Sequence, residues 1–296
     1  MGAVTTAELA RAVRFLEITT RKAVTATFAG RYTSAFKGRG MEFDEVREYQ
    51  SGDDVRTIDW NVSARTGRLH TKRYVEEREL TILLLVDLSA SGSFGSTTRS
   101  KAEVAAEICA LLAFTAIRSN DRVGLIIFTD RVQKVIAPRK GSRHVLRLIR
   151  DILAFAPGSA GERTSINAGL QALAAVLKRR AVVFLVSDFQ DRGYEALLKT
   201  AGKRHDLIAV LLADPRELGL PDVGLLELED AETGARVLVD SGSREVRQAY
   251  EQAGAQGRAA LSRLCSGAGI DLIPITMGED PARILVRFFL ARERRL

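Results

Sequence analysis

Leu80-Thr81-Ile82-Leu83-Leu84-Leu85-Val86-Asp87-Leu88-Ser89-Ala90-Ser91-Gly92 is the stretch on which the fold turns. An apolar run of this length, closed by a polar turn, is a strand buried on both faces, and such strands belong to parallel sheets covered by helices. Alternate residues of extended chain point to one side, so Asp87, Ser89 and Ser91 converge at the carboxyl end of the strand. Open α/β sheets bind their ligands at that end. One carboxylate and two hydroxyls make an all-oxygen donor set suited to a hard divalent cation, Mg²⁺ foremost, with Mn²⁺ or Ca²⁺ as the other candidates.

Such a cation takes roughly six oxygens, so the remaining ligands must come from neighbouring strand ends. Thr164, in Gly161-Glu162-Arg163-Thr164-Ser165-Ile166-Asn167, opens a later helical pattern. Asp188 closes a second buried run, Ala181-Val182-Val183-Phe184-Leu185-Val186-Ser187-Asp188. Serine and glycine are also ordinary in a capped strand-to-helix loop, so the order and context of all five residues matter. That order, D-x-S-x-S, then Thr, then Asp, resembles the metal-ion-dependent adhesion site of von Willebrand factor A domains, with Asp87, Ser89, Ser91, Thr164 and Asp188 filling its positions. The resemblance implies hydroxyls bound directly to metal and carboxylates held largely through water. It also implies one coordination position left for an Asp or Glu of a protein partner, which is binding rather than catalysis.

The chain has 296 residues, an ordinary hydrophobic content of 46% and a net charge of +7, so it folds around a large core. Cys109 and Cys265 lie in apolar helical patterns and read as buried free thiols of a reducing, cytoplasmic compartment. No apolar run reaches the roughly 18–20 residues of a membrane span, and no signal-peptide core opens the sequence. Nothing has the form of a nucleic-acid module.

Residues 1–37 read as a basic amphipathic helix and linker. Leu9, Val13, Leu16, Thr20, Val24 and Phe28 mark its apolar stripe, and Arg11, Arg14, Arg21 and Lys22 its charged face. The stripe packs onto the body; the basic face is either solvated or a dock for an acidic partner or anionic lipid.

Residues 38–79 read as a β-rich arm with interleaved charges. Phe43, Tyr49, Trp60 and Tyr74 are expected to hold it, and Arg–carboxylate pairs to fix its geometry. The run G-R-G-x-E-F-x-E-V-R-E-Y-x-x-G-D-D-x-R-x-I-D-W-N-x-S-A-R-T-G-x-L, from Gly38 to Leu69, resembles the proteins of "domain of unknown function 58". Those proteins carry such an arm before a von Willebrand factor A-like domain, here residues 80–296. Many have two membrane helices that this sequence lacks, so it resembles their soluble subset. The resemblance implies an adaptor or co-chaperone beside a MoxR-type AAA+ ATPase, in assembly or remodelling of a target complex.

The remaining pattern predicts an α/β, doubly wound, mostly parallel sheet of Rossmann type with one antiparallel edge strand. A hairpin near 223–240 is an addition to it. The competing enzyme reading is a metal-dependent phosphatase of haloacid-dehalogenase-like type with Asp87 as nucleophile. Its general acid belongs two residues on, where Ser89 stands. No P-loop, dinucleotide fingerprint or nucleophile elbow is present. His70, His144 and His205 are tied to no nucleophile by sequence. The expectation is a non-catalytic protein.

Overall fold

The computed structural model describes residues 6–37, 42–75, 79–89, 99–155, 164–229 and 235–295. Its strands are β1 (Glu42–Glu48), β2 (His70–Val75), β3 (Thr81–Asp87), β4 (Arg122–Phe128), β5 (Val132–Arg139), β6 (Val182–Ser187), β7 (Asp206–Ala213), β8 (Leu225–Glu229), β9 (Arg236–Asp240) and β10 (Asp271–Thr276). Its helices are α1 (Thr6–Ala23), α2 (Ala26–Lys37), α3 (Trp60–Thr66), α4 (Lys101–Arg118), α5 (Ser142–Leu153), α6 (Ile166–Val176), α7 (Glu195–Arg204), α8 (Pro215–Leu218), α9 (Arg244–Gly267) and α10 (Pro281–Glu293).

Six strands form the central sheet in the order β10-β7-β6-β3-β4-β5, all parallel except β5, which pairs antiparallel with β4 at one edge. This is the doubly wound sheet that the sequence predicts. The alternation of strand residues divides the core in two. Ile82, Leu84 and Val86 join the side chains of α1, α2, α4, α5 and α10 on one face. Leu83 and Leu85 join those of α6, α7 and α9 on the other. A strand apolar on both sides is stable only between two such layers, hence the unbroken Ile82–Val86 run.

Residues 26–37 are not a linker. Thr25 caps a second helix, its hydroxyl accepting the Phe28 amide at 3.3 Å. Phe28, Tyr32 and Phe36 of α2 then pack edge-on around Phe289 of α10, at ring separations of 5.5–5.8 Å. Tyr32, fully buried, donates at 3.0 Å to Asp121, which also accepts the Leu80 amide at 2.9 Å. The first helix does pack by its stripe, with Leu16 and Thr20 buried, and the stripe runs on past its end through Val24 to Phe28 of α2, both also buried. Together α1 and α5 frame a groove of about 640 Å³, floored by Leu9, Val13 and Leu146 and rimmed by Arg14, Arg143, Arg147 and Arg150.

The arm is a two-stranded antiparallel ribbon of β1 and β2. Arg47–Asp53 at 2.6 Å and Arg68–Glu48 at 2.8 Å are the expected ion pairs. Trp60 does not anchor the arm: it opens α3 behind the cap Asp59 and is 67% exposed. The capping chemistry of Asp59, which accepts the Asn61 and Val62 amides, turns the chain here and carries Trp60 outward. A second hairpin, β8 with β9, stands where the sequence places it. Among the described residues, no helix is long and apolar enough to cross a membrane.

Two stability measurements test this packing. Tyr32→Phe removes one donor from buried Asp121 and should cost about 1–3 kcal/mol in urea unfolding. His205 is buried, with neither ring nitrogen partnered among the described residues. Burial, with Arg204 and Arg180 nearby, holds its pKa below the ordinary 6.5. The folded ring is therefore neutral while the unfolded ring takes a proton, so stability present above about pH 6.5 is lost as pH falls below it. His205→Leu should flatten that acid limb of a melting-temperature profile; an unchanged slope would discount the ring.

Candidate metal centre

The chain enters the sheet at β3, builds β4 and β5 to one side, then returns to build β6, β7 and β10 on the other. The reversal leaves a crevice between the carboxyl ends of β3 and β6. Parallel pairing of Val86 with Val186 sets the register there and brings Asp87 beside Ser187. Ser187 Oγ donates to Asp87 Oδ2 at 2.7 Å, and the Ser89 amide donates to Asp87 Oδ1 at 3.0 Å. Asp87 is thus fixed at the floor of the crevice by donors from Ser187 and Ser89.

Thr164 arrives from the other side of the sheet. The Ser165 amide donates to the Thr129 carbonyl, just past β4, at 2.8 Å, and the Ile166 amide donates to Asp191 Oδ2 at 2.8 Å. Gly169 lets α6 lie against β4: a Cβ there would sit 2.8 Å from the Phe128 ring. So held, Thr164 Oγ1 donates to Ser89 Oγ at 2.8 Å, and both residues are buried. Asp188 follows β6 directly. Its Oδ1 accepts the Gln190 amide at 3.2 Å, while Phe189 between them takes a left-handed φ of 56°. For a bulky residue that conformation is strained, a feature concentrated at functional sites.

Four of the five expected residues therefore gather at one rim: Asp87, Ser89, Thr164 and Asp188. Ser91 lies outside the described residues. Burial pushes the Asp87 carboxyl up to about 7, and the Asp188 carboxylate adds to the shift. Two crowded carboxylates beside two touching hydroxyls form an oxygen set that fits a hard divalent cation, whose charge would relieve their repulsion. No cluster of three or more His, Cys, Asp or Glu exists among the described residues; half of this set is hydroxyl.

Four residues of the site went unread in the sequence. Ser187 and Asp191 position Asp87 and α6, as above. The other two are Lys101 and Glu217. Lys101 is 3% exposed, with its ammonium 2.9 Å from Asp188 Oδ2 and 2.5 Å from Glu217 Oε1. Burial alone would lower the Lys101 pKa, but Asp188 and Glu217 outweigh it and raise it above the ordinary 10.5, so the side chain is a cation. Glu217 is also the capping-box residue of α8: its Oε2 accepts the Asp214 amide at 2.9 Å, and Gln190 Nε2 donates to its Oε1 at 3.1 Å. A readable signal existed for Lys101. It stands in register with Ala105, Ile108 and Leu112, at the head of a stripe that is otherwise buried and apolar.

The histidines stay apart from this rim. The ring nitrogens of His70 and His144 sit 2.8 Å from the backbone carbonyls of Arg68 and Val123, and His205 is the buried ring described above. Cys109 and Cys265 are free and buried, their thiols pushed by burial up to about 12 and about 11.

The family described as "Protein of unknown function DUF58" matches residues 45–260. "Uncharacterized protein Rv1480" of Mycobacterium tuberculosis is 33% identical over 288 residues, covering 97% of this chain and 90% of that protein. Among solved structures, the conserved hypothetical protein BatB of Bacteroides thetaiotaomicron is 14% identical with a TM-score of 0.46, over 73% of this chain and all of that one. The SpRpn10 VWA domain is 15% identical with a TM-score of 0.39, over 71% of this chain and 94% of that one.

The Gly169 contact generates a test. Gly169→Ala forces α6 and Phe128 apart and should cost about 1–3 kcal/mol of stability, with a loss of divalent-metal affinity measured by calorimetry. Lost stability with unchanged affinity, at a temperature where the variant is folded, would show that α6 does not position Thr164.

Proposed function

This chain belongs to the DUF58 protein family, and on that footing we propose that it is a non-catalytic, metal-dependent adaptor that binds an acidic group of a protein partner. The observation that carries the reading is the 2.8 Å contact between Thr164 and Ser89, 75 residues apart, at the rim that also holds Asp87 and Asp188. Ser89, Thr164 and, by its place in the motif, Ser91 would supply direct oxygens; Asp87 and Asp188 would balance charge. A divalent ion held there supplies an electrophilic centre for an incoming carboxylate. The chain's own residues set the rest: Ser187 fixes Asp87, Asp191 and Gly169 seat α6 and Thr164, and Lys101 neutralises part of the carboxylate charge.

The partner we propose is a MoxR-type AAA+ ATPase, with the adaptor acting in assembly or remodelling of a target complex. Family membership supports this choice of partner. We place the protein in the cytoplasm, in keeping with two unpaired thiols. A haloacid-dehalogenase-like phosphatase is the weaker reading, because the position of its general acid is a hydroxyl hydrogen-bonded to Thr164.

Titration calorimetry with MgCl₂ and MnCl₂ is the test. Asp87→Ala and Thr164→Val should each weaken binding about tenfold or more, equivalent to roughly 1.4 kcal/mol or more, with unchanged far-UV circular dichroism. A pull-down with the ATPase should succeed in Mg²⁺ and fail in EDTA. Metal affinity unaffected by Asp87→Ala would remove the reading.

A further inference from the structure

Buried lysines are rare because desolvating an ammonium is costly unless carboxylates surround it. Lys101 meets that condition in an uneven way. One of its two acceptors, Asp188, belongs to the candidate metal rim; the other, Glu217, lies behind it on α8, tied to the chain by its own cap hydrogen bond to Asp214. The ammonium therefore sits between a carboxylate a metal would use and one it would not. Both Lys101 and Asp188 have side chains only 4% exposed, so bulk water screens their pairing little.

We propose that Lys101 is the built-in counter-cation of the site, competing with the divalent ion for Asp188 and sparing the loaded site the negative charge that would repel an acidic partner. This rests on the metal-site reading above. Asp87, Asp188, Asp191 and Glu217 are negative groups at or beside the rim, and Lys101 is the positive group paired with two of them. With Lys101 present, the loaded group carries one negative charge fewer, and a partner carboxylate meets less repulsion. Without it, the loaded group keeps that extra negative charge and repels the carboxylate more strongly, while the bare rim attracts metal more strongly. Lys101 thus lowers affinity for the ion and raises receptiveness to the ligand. Glu217 retains the ammonium when Asp188 turns to the metal, so the side chain need not leave the interior.

The opposite signs separate this role from mere structural support. MgCl₂ is titrated calorimetrically into wild type, Lys101→Met and Lys101→Arg, with and without sodium acetate as the minimal carboxylate probe, and melting temperatures are recorded in parallel. In Lys101→Met, Mg²⁺ should bind about tenfold tighter or better, from loss of a nearby like charge. The rise in melting temperature on adding Mg²⁺ should exceed that of wild type. Acetate should tighten Mg²⁺ binding in wild type and cease to do so in Lys101→Met. Lys101→Arg, which keeps the charge, should resemble wild type. Glu217→Gln leaves Lys101 to Asp188 alone and should weaken Mg²⁺ several-fold; it also serves if Lys101→Met does not fold. Folding of Lys101→Met only when Mg²⁺ is supplied would support the proposal, because the ion would then replace the missing cation. Wild type that binds Mg²⁺ with Lys101→Met and Glu217→Gln both at wild-type affinity would overturn this proposal and leave the metal site standing. No Mg²⁺ binding by wild type would overturn both.

Discussion

The parallel pairing of β3 with β6 is the constraint from which the rest of the site descends. Val86 opposite Val186 puts the last residues of both strands at one height, so that Asp87 reaches Ser187 and Asp188 begins the next turn. A slip by one residue would exchange the faces of β6 and bury its polar end in the wrong layer. Shape rather than hydropathy opposes such a slip, since Val183 and Leu185 pack in one core and Phe184 and Val186 in the other. The apolar sequence of the strands therefore fixes the polar geometry at their ends.

Charge at this rim is handled locally rather than by exposure to water. Asp87 takes hydrogen bonds from Ser187 and Ser89, Asp188 an ammonium and an amide, and Glu217 an ammonium, an amide and a side-chain amide. Such a network is stable only when nearly every member is satisfied. The left-handed Phe189, an order of 1–3 kcal/mol of local strain, persists because its ring is buried beside Tyr194 and its amide donates to Ser187. The strain holds Asp188 and the Gln190 amide in the turn that meets α4 and α8.

The sheet was legible because its signal is repeated. Buried runs such as Leu83–Val86 and Val183–Val186, each followed by polar turns, admit little besides strands in a covered parallel sheet. Asp87, Ser89 and Asp188 were legible at strand ends that converge in that fold, and Thr164, at the start of α6, only through the order of the motif that the chain resembles. The place of Lys101 at the head of a buried stripe was readable, but its pairing with Glu217 was not, because it spans 116 residues and depends on how α8 caps itself, a matter of tertiary contact. Trp60 misled for a related reason: a large aromatic suggests a core, yet the cap at Asp59 decides where its side chain goes. Residues 26–37 carried an apolar spacing that fits a helix, but only contact with α10 shows what Tyr32 and Phe36 are for.

That contact governs how the protein can be dissected. Phe28, Tyr32 and Phe36 enclose Phe289, Arg31 pairs with Glu293, and Arg292 donates to the Ala35 carbonyl while lying over the Phe36 ring. A recombinant fragment begun at the arm would strip these partners away and bare Phe289 together with the adjoining edge of Phe184, the kind of apolar surface that drives aggregation. Excision of the central sheet and its helices for crystallisation or display should therefore retain α2, by covalent continuity or by supplying it as a separate peptide in trans.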